Sequence, residues 1–300
     1  MEYKERVKNN FNNYIMIRIR FFSSFCDSEN CKSVYERLCE THIKPNYGPD
    51  KQIFIVADDS YTHAVIMNTA TPNLTVIKDN VIGLAFEPTP FLRPYLSSHF
   101  IEYAQKHIRK YHIGDASQLP EPFTSQYGFM WHITPPTKTP VKTRPMSIMV
   151  SQKQEAPGHL YRHQLVNAIL QTDLDIDIYG RGCQFYNQED KRVKGTFSDD
   201  EPYETYQFHI CIENFSLPNY TSEKYTNTIL WNTTPIYWGA QNPLFPDLTI
   251  TLSGDVIKDL CLIRGIMENP ENHVRHFKQD DIRPRLNILD NIDELFSTIS

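Results

Sequence analysis

One pattern narrows the fold of this 300-residue chain more than any other, and it occurs twice: short apolar runs alternate with segments of helical spacing. In the first half the runs fall at 14–25, 52–57, 63–68, 80–86 and 111–115. Between them lie a helical stretch at 33–42, through Val34, Leu38 and Cys39, and another at 95–111. There Phe100, Tyr103, Ala104 and Ile108 share one stripe. The second half repeats the arrangement, with runs at 146–151, 175–179, 206–213 and 234–238 and helices at 160–171, 222–231, 256–267 and 292–298. Such alternation predicts α/β architecture with parallel sheets covered by helices. Between the two series stand Pro120, Pro122, Pro135, Pro136, Pro140 and Pro145, a density that denies regular structure and reads as a linker. The chain also exceeds the usual size of one core. Two domains are therefore expected, 1–140 and 141–300.

Composition excludes several classes. Net charge is −6, whereas a protein that grips nucleic acid by its phosphates carries a basic excess, so no nucleic-acid partner is expected. No run of about 18 apolar residues predicts a transmembrane helix. The N-terminal apolar stretch is broken by Arg18 and Arg20, which suits a half-buried strand better than a signal peptide. The expected location is therefore cytoplasmic. The six cysteines form no CxxC pair and read as reduced thiols or core residues rather than metal ligands. Asn-X-Ser/Thr sequons occur at Asn73, Asn214, Asn219 and Asn232, and a glycan on Asn214 would obstruct the site argued below.

In open parallel sheets, ligands bind beyond the carboxyl ends of the strands. Glu87, Gly180, Glu213, Asn214 and Gly239 all follow apolar runs. Around them, residues 208–239 read as strand, polar loop, helix and strand. Ser222 is a good N-cap. A helix N-terminus offers free N–H groups and a positive dipole end, which favour phosphate. Lys224 in that first turn opposes the dipole preference for anions, a placement that suits a diphosphate ligand. Its plainer reading is a solvated surface lysine.

Three blocks of that segment resemble the donor-binding signature of the α1,3-fucosyltransferases (glycosyltransferase family 10). They are Ile212-Glu213-Asn214, then Tyr220-Thr221-Ser222-Glu223-Lys224, then Pro235-Ile236-Tyr237-Trp238-Gly239. Weaker matches are Arg162 on a helix after the strand at 146–151, Asp177-Ile178-Tyr179-Gly180-Arg181, and Phe86-Glu87-Pro88, where the family's Ser is absent. The likeness spans about residues 80–240, and the first 75 residues match nothing nameable.

The resemblance implies a GT-B-like fold, two Rossmann-like domains facing across a cleft. The first would bind a glycan acceptor and the second GDP-fucose. It implies an inverting single displacement with no required cofactor, a divalent metal being at most a stimulant. Glu87 would be the general base, Arg162 and Lys224 the diphosphate clamps, and Glu223 an acceptor for ribose or sugar hydroxyls. Asn214 and Tyr220 would line the pocket, Glu213 would hold the loop, and Gly180 and Gly239 would permit close backbone approach. The soluble bacterial or viral enzymes of the family are the nearer likeness, since no anchor or stem is read here. Plainer roles stand beside these: Glu87 capping the next helix or pairing with Arg93, and Arg162 as a surface residue.

Asp173, Asp175 and Asp177 contain Asp-X-Asp triplets that could hold a metal in a transferase of another fold, but apolar residues interleave as a buried strand needs. His273 and His276 lack a third ligand nearby. Two further functions remain compatible with these residues: transfer from a different nucleotide sugar, and a non-catalytic nucleotide- or carbohydrate-binding module.

Overall fold

The computed structural model describes residues 16–39, 53–125, 136–286 and 296. Two six-stranded sheets, every pairing parallel, account for both series of apolar runs. The first contains β1 (Ile17–Ser23), β2 (Ile53–Ile55), β3 (His63–Met67), β4 (Val81–Leu84), β5 (Lys110–Ile113) and β6 (Phe123–Ser125), in the order β2-β1-β3-β4-β5-β6. Its helices are α1 (Ser28–Cys39), the one-turn α2 (Thr89–Leu92) and α3 (Ser98–His107).

The second sheet contains β7 (Arg144–Met149), β8 (Ile176–Tyr179), β9 (Val193–Gly195), β10 (Tyr206–Ile212), β11 (Thr234–Trp238) and β12 (Ile250–Thr251), in the order β12-β11-β10-β7-β8-β9. Around it lie α4 (Pro157–Leu170), α5 (Glu201–Glu204), α6 (Glu223–Leu230), α7 (Val256–Glu268) and α8 (Gln279–Leu286). The α/β architecture with two Rossmann-like sheets, expected from the sequence, is present.

The strands read as continuous apolar runs because both faces of each sheet are covered. In the first sheet, Ile19, Phe21, Val65 and Met67 face one core, while Ala64, Ile66, Val81 and Tyr111 face another with Phe100 and Ala104 of α3. In the second, Ile148, Ile178, Phe208 and Ile210 pack with Leu165 of α4 and Ile263 of α7. Cys211 and Tyr237 turn the other way, onto Tyr225 and Ile229 of α6.

Several expectations needed correction. Regular structure exists inside the proline-dense stretch: β6 follows directly on Pro122, whose carbonyl accepts from Tyr111 N at 2.9 Å. Proline is tolerated there because β6 is an edge strand, and only the missing N–H would have mattered. The helix expected at 33–42 begins at Ser28, and α2, α5 and β9 lie in segments for which the sequence suggested no regular element. Apart from Phe296, the helix expected at 292–298 lies outside the described residues. Phe296 packs on the core of the first sheet, with its ring 4.7 Å from that of His63 and its carbonyl accepting from Arg109 at 2.8 Å. Among the described residues, no helix is long and apolar enough to cross a membrane.

Two charged residues, one buried and one half-buried, organise the second sheet. Asp177, 2 % exposed, pairs with Arg144 and with Lys194 at 3.2 Å, and accepts from Tyr206 Oη at 2.6 Å. Its carboxylate is thus taken up by protein cations, while Asp173 sits near Arg264 at 3.6 Å, so the Asp-X-Asp triplets do not converge on a metal. Lys142 Nζ lies 2.7–3.2 Å from four acceptors that share its three protons, the carbonyls of Tyr203, Glu204 and Trp231 and Thr233 Oγ1. It therefore serves the C-terminal ends of both α5 and α6, where a cation and donors are favoured. Asp177→Asn is expected to lower the unfolding free energy by about 1.5–3 kcal/mol, the worth of hydrogen bonds to a charged group, measurable as a lower urea midpoint.

Candidate active site

The order of the second sheet decides where a ligand can enter. From β7 the chain proceeds outward to β8 and β9, then returns to place β10, β11 and β12 on the other side. The loops leaving β7 and β10 therefore diverge and leave a crevice, the usual ligand site of such sheets. A cavity of about 300 Å³ lies there, lined by residues from the ends of β7, β8 and β10, from α4 and from the start of α6.

Gly180 shapes its floor. Its φ is +108°, and a Cβ would come 2.3 Å from the carbonyl oxygen of Val150, so any other residue would push this turn away from β7. Arg162 enters from α4. It is 4 % exposed, and its Nη2 donates to the Ile212 carbonyl at 2.5 Å and approaches Asn214 Oδ1 at 3.4 Å. Burial lowers its guanidinium to about 10, against the pull of Glu213 and Glu223. Arg162 thus lines the cavity as a buried charge rather than lying on the surface of α4.

Glu213 sits beneath the cavity rather than in its wall. Fully buried, its carboxylate accepts from Ser222 N at 2.7 Å and from Ser222 Oγ at 2.6 Å. Burial raises its pKa, and Lys224 opposes the rise. The carboxylate closes the loop 213–222 and holds the N-cap of α6, where Ser222 Oγ accepts from Lys224 N at 3.3 Å. Gly239 passes close by, since a Cβ on it would come 2.4 Å from Glu213 Cγ.

Glu223 and Lys224 face the cavity as an ion pair at 2.8 Å, and Lys224 Nζ also reaches Ser222 Oγ at 3.2 Å. Burial pushes the Glu223 carboxyl upward, but the charge and hydrogen bond of Lys224 prevail and hold it below the usual value. For Lys224, burial pulls downward, and the charges of Glu223 and Glu213 carry it above the usual value. Both groups are therefore ionised near neutrality.

The first sheet contributes Glu87. Asn68, at φ +51° just after β3, accepts from Phe86 N at 2.8 Å and from Glu87 N at 3.4 Å, fixing the turn that presents Glu87. The Glu87 side chain is exposed. Its pKa is raised, chiefly because surrounding protein displaces water; Lys224 lowers it, Glu223 raises it and Lys153 lowers it. The carboxylate thus lies within electrostatic reach of three residues of the second half. The side chain does not cap α2, whose N-cap is Pro88, and Arg93 donates instead to Gln118 at 3.2 Å.

Tyr220 bridges the halves. Its buried hydroxyl donates to the Phe86 carbonyl at 3.2 Å, and its Cβ packs so closely on Gly114 that a Cβ there would approach to 2.8 Å. It does not line the cavity. Phe91 of α2 adds edge contact with Phe215, at 5.0 Å between ring centroids.

Sequence reasoning passed over several residues here. Gly158 gives its N–H to the Asn214 carbonyl at 3.0 Å, and a Cβ on it would lie 1.7 Å from the Glu213 carbonyl. A Pro-Gly pair opening a helix was the available signal. Ser151, Arg181, Phe197 and His209 also line the cavity. Among the described residues, no cluster of three or more His, Cys, Asp or Glu is placed to hold a metal.

Residues 139–248 match the family model described as "Glycosyltransferase family 10 (fucosyltransferase) C-term". The chain is 28 % identical over 164 residues to "Putative fucosyltransferase R654" of Acanthamoeba polyphaga mimivirus, a match covering 47 % of this chain and 26 % of that protein. The chain thus spans about a quarter of the length of this relative. Among solved structures, it has a distant likeness to an α1,3-fucosyltransferase (TM-score 0.46, 10 % identity, 95 % of this chain and 91 % of the other). It has another to T4 phage BGT in complex with its UDP-glucose substrate (TM-score 0.39, 10 % identity, 94 % and 100 %). The segment that builds the cavity and its loop thus lies within the stretch, residues 139–248, that is similar to a glycosyltransferase family 10 (fucosyltransferase) C-terminal domain.

Proposed function

We propose that this chain moves fucose from GDP-fucose to a hydroxyl of a glycan acceptor, with inversion at the sugar carbon. Residues 1–140 meet the acceptor and 141–300 hold the donor. The observation that carries the reading is an exposed carboxylate, Glu87, within electrostatic reach of Lys224, which shares a cavity wall with the buried Arg162.

The roles follow from charge and position. The diphosphate lies at the N-terminus of α6, between Lys224 and Arg162. Glu87 removes the proton of the acceptor hydroxyl, and that oxygen bonds to the sugar carbon from the face opposite the diphosphate. The carbon–oxygen bond to GDP breaks, and its electron pair leaves with the phosphate oxygen. Lys224 and Arg162 offset the developing charge. Glu223, kept ionised by Lys224, accepts from sugar or ribose hydroxyls. Asn214 and Gly180 shape the pocket, and Glu213 holds the loop. Tyr220 acts from outside the cavity, steadying the residue before Glu87.

Calorimetric titration of GDP, GDP-fucose, GDP-mannose and UDP-galactose tests the donor site. GDP and GDP-fucose are expected to bind selectively, and Lys224→Ala to weaken both by about 10- to 100-fold, the worth of a charged hydrogen bond. Absence of guanine-nucleotide binding would sink the donor assignment, while binding without preference for fucose would overturn the sugar.

Glu87→Gln is expected to reduce kcat by about 10²- to 10⁴-fold while GDP affinity stays the same. Turnover undiminished in this variant would place the base elsewhere. Since the Glu87 pKa is raised, a base at this position is lost as pH falls through that higher value. The acid limb of kcat/KM should therefore lie above the ordinary glutamate value of about 4.3 and vanish in Glu87→Gln.

A further inference from the structure

His209 lies in the middle of β10, 1 % exposed, and lines the cavity. Its Nδ1 is 2.7 Å from Ser147 Oγ. The single proton of that hydroxyl is committed to the Pro202 carbonyl, 2.5 Å away. Ser147 must therefore accept from His209, which puts the imidazole proton on Nδ1. Nε2 is left as a pure acceptor, and it has no hydrogen-bond partner among the described residues. Burial holds the ring at about 3, so it is neutral under ordinary conditions. A buried acceptor without a donor is an unfavourable arrangement for a folded chain, and here the atom belongs to a residue bordering an open cavity.

The chemistry of the missing partner is constrained. A lone-pair acceptor repels phosphate oxygens and requires an N–H or O–H. The diphosphate end of the cavity is set by Lys224 and Arg162, and the sugar must face Glu87. His209 stands three residues back along the strand from Ile212, about 10 Å from that end at strand rise. Phe197, 37 % exposed, offers an aromatic face on the same cavity. Resting on the donor reading above, we propose that His209 Nε2 accepts a hydrogen bond from the nucleoside of the bound sugar nucleotide, so that β10 reads which nucleoside the diphosphate carries.

The test compares the unaltered protein with His209→Asn. The asparagine amide can take the place of Nδ1–H toward Ser147 while removing the Nε2 acceptor. GDP binding should weaken about tenfold, the size of one neutral hydrogen bond, with pyrophosphate affinity unchanged. Four analogues each lack one donor: IDP, N1-methyl-GDP, 2′-deoxy-GDP and 3′-deoxy-GDP. One of them should bind the unaltered protein about tenfold more weakly than GDP, and that difference should disappear in His209→Asn. Its identity assigns the contact to base or ribose. Equal GDP affinity in variant and parent overturns the proposal, as does a parallel loss of pyrophosphate binding. Should the variant not fold, the analogue series on the unaltered protein decides alone: four affinities equal to that of GDP overturn it. If the unaltered protein binds no GDP, the donor reading itself has failed, a result distinct from GDP binding that ignores His209.

Discussion

The buried carboxylate of Glu213 sets the geometry around it. A carboxylate removed from water is costly unless its oxygens find donors, and both are met by Ser222, nine residues later. That requirement folds the intervening polar loop back over the strand end and brings the first turn of α6 to the mouth of the crevice. Everything placed by that turn, the Glu223–Lys224 pair above all, inherits its position from one buried charge. Gly158 and Gly239 are consequences of the same packing, since a side chain at either position would collide with Glu213. Lys224 reciprocates by opposing the burial-driven rise in the Glu213 pKa.

The same loop joins the halves of the molecule. Tyr220 spends its hydroxyl on the carbonyl preceding Glu87, and Phe91 meets Phe215 edge-on. Glu87 and the Glu223–Lys224 pair thus belong to separate sheets, held by a few contacts from a loop whose own shape is fixed by Glu213. A change in this loop would alter the distance between Glu87 and Lys224 without touching either.

Much of the scaffold was legible because parallel strands covered on both faces leave uninterrupted apolar runs, and β11 (Thr234–Trp238) was read to the residue. The edge strands β6 and β9 were not, because neither carries an apolar run, whereas β2, an edge strand equally short, is all apolar and was read within 52–57. At the candidate site, Ser222, Glu223 and Lys224 announced themselves by local rules of helix starts. Residues defined by distant partners did not. His209 in an apolar run reads as filler until Ser147, 62 positions earlier, fixes its tautomer. The resemblance made Tyr220 a pocket residue, and sequence order cannot say that its hydroxyl reaches the Phe86 carbonyl of the other half. Arg162 was named from the resemblance, but its buried hydrogen bond to the Ile212 carbonyl, 50 positions away, is not readable from sequence order.

Lys142 gives α6 a property that its N-terminus alone would not reveal. By gathering the Trp231 carbonyl together with the end of α5, it clamps the far end of a helix only eight residues long. A helix so short frays readily when free, and frayed amides would have to be realigned by each arriving anion. Anchored at one end by Lys142 and at the other by Ser222 and Glu213, α6 would meet the proposed diphosphate already ordered. The entropy of aligning those amides is lost once, when the chain folds, and not again at each encounter.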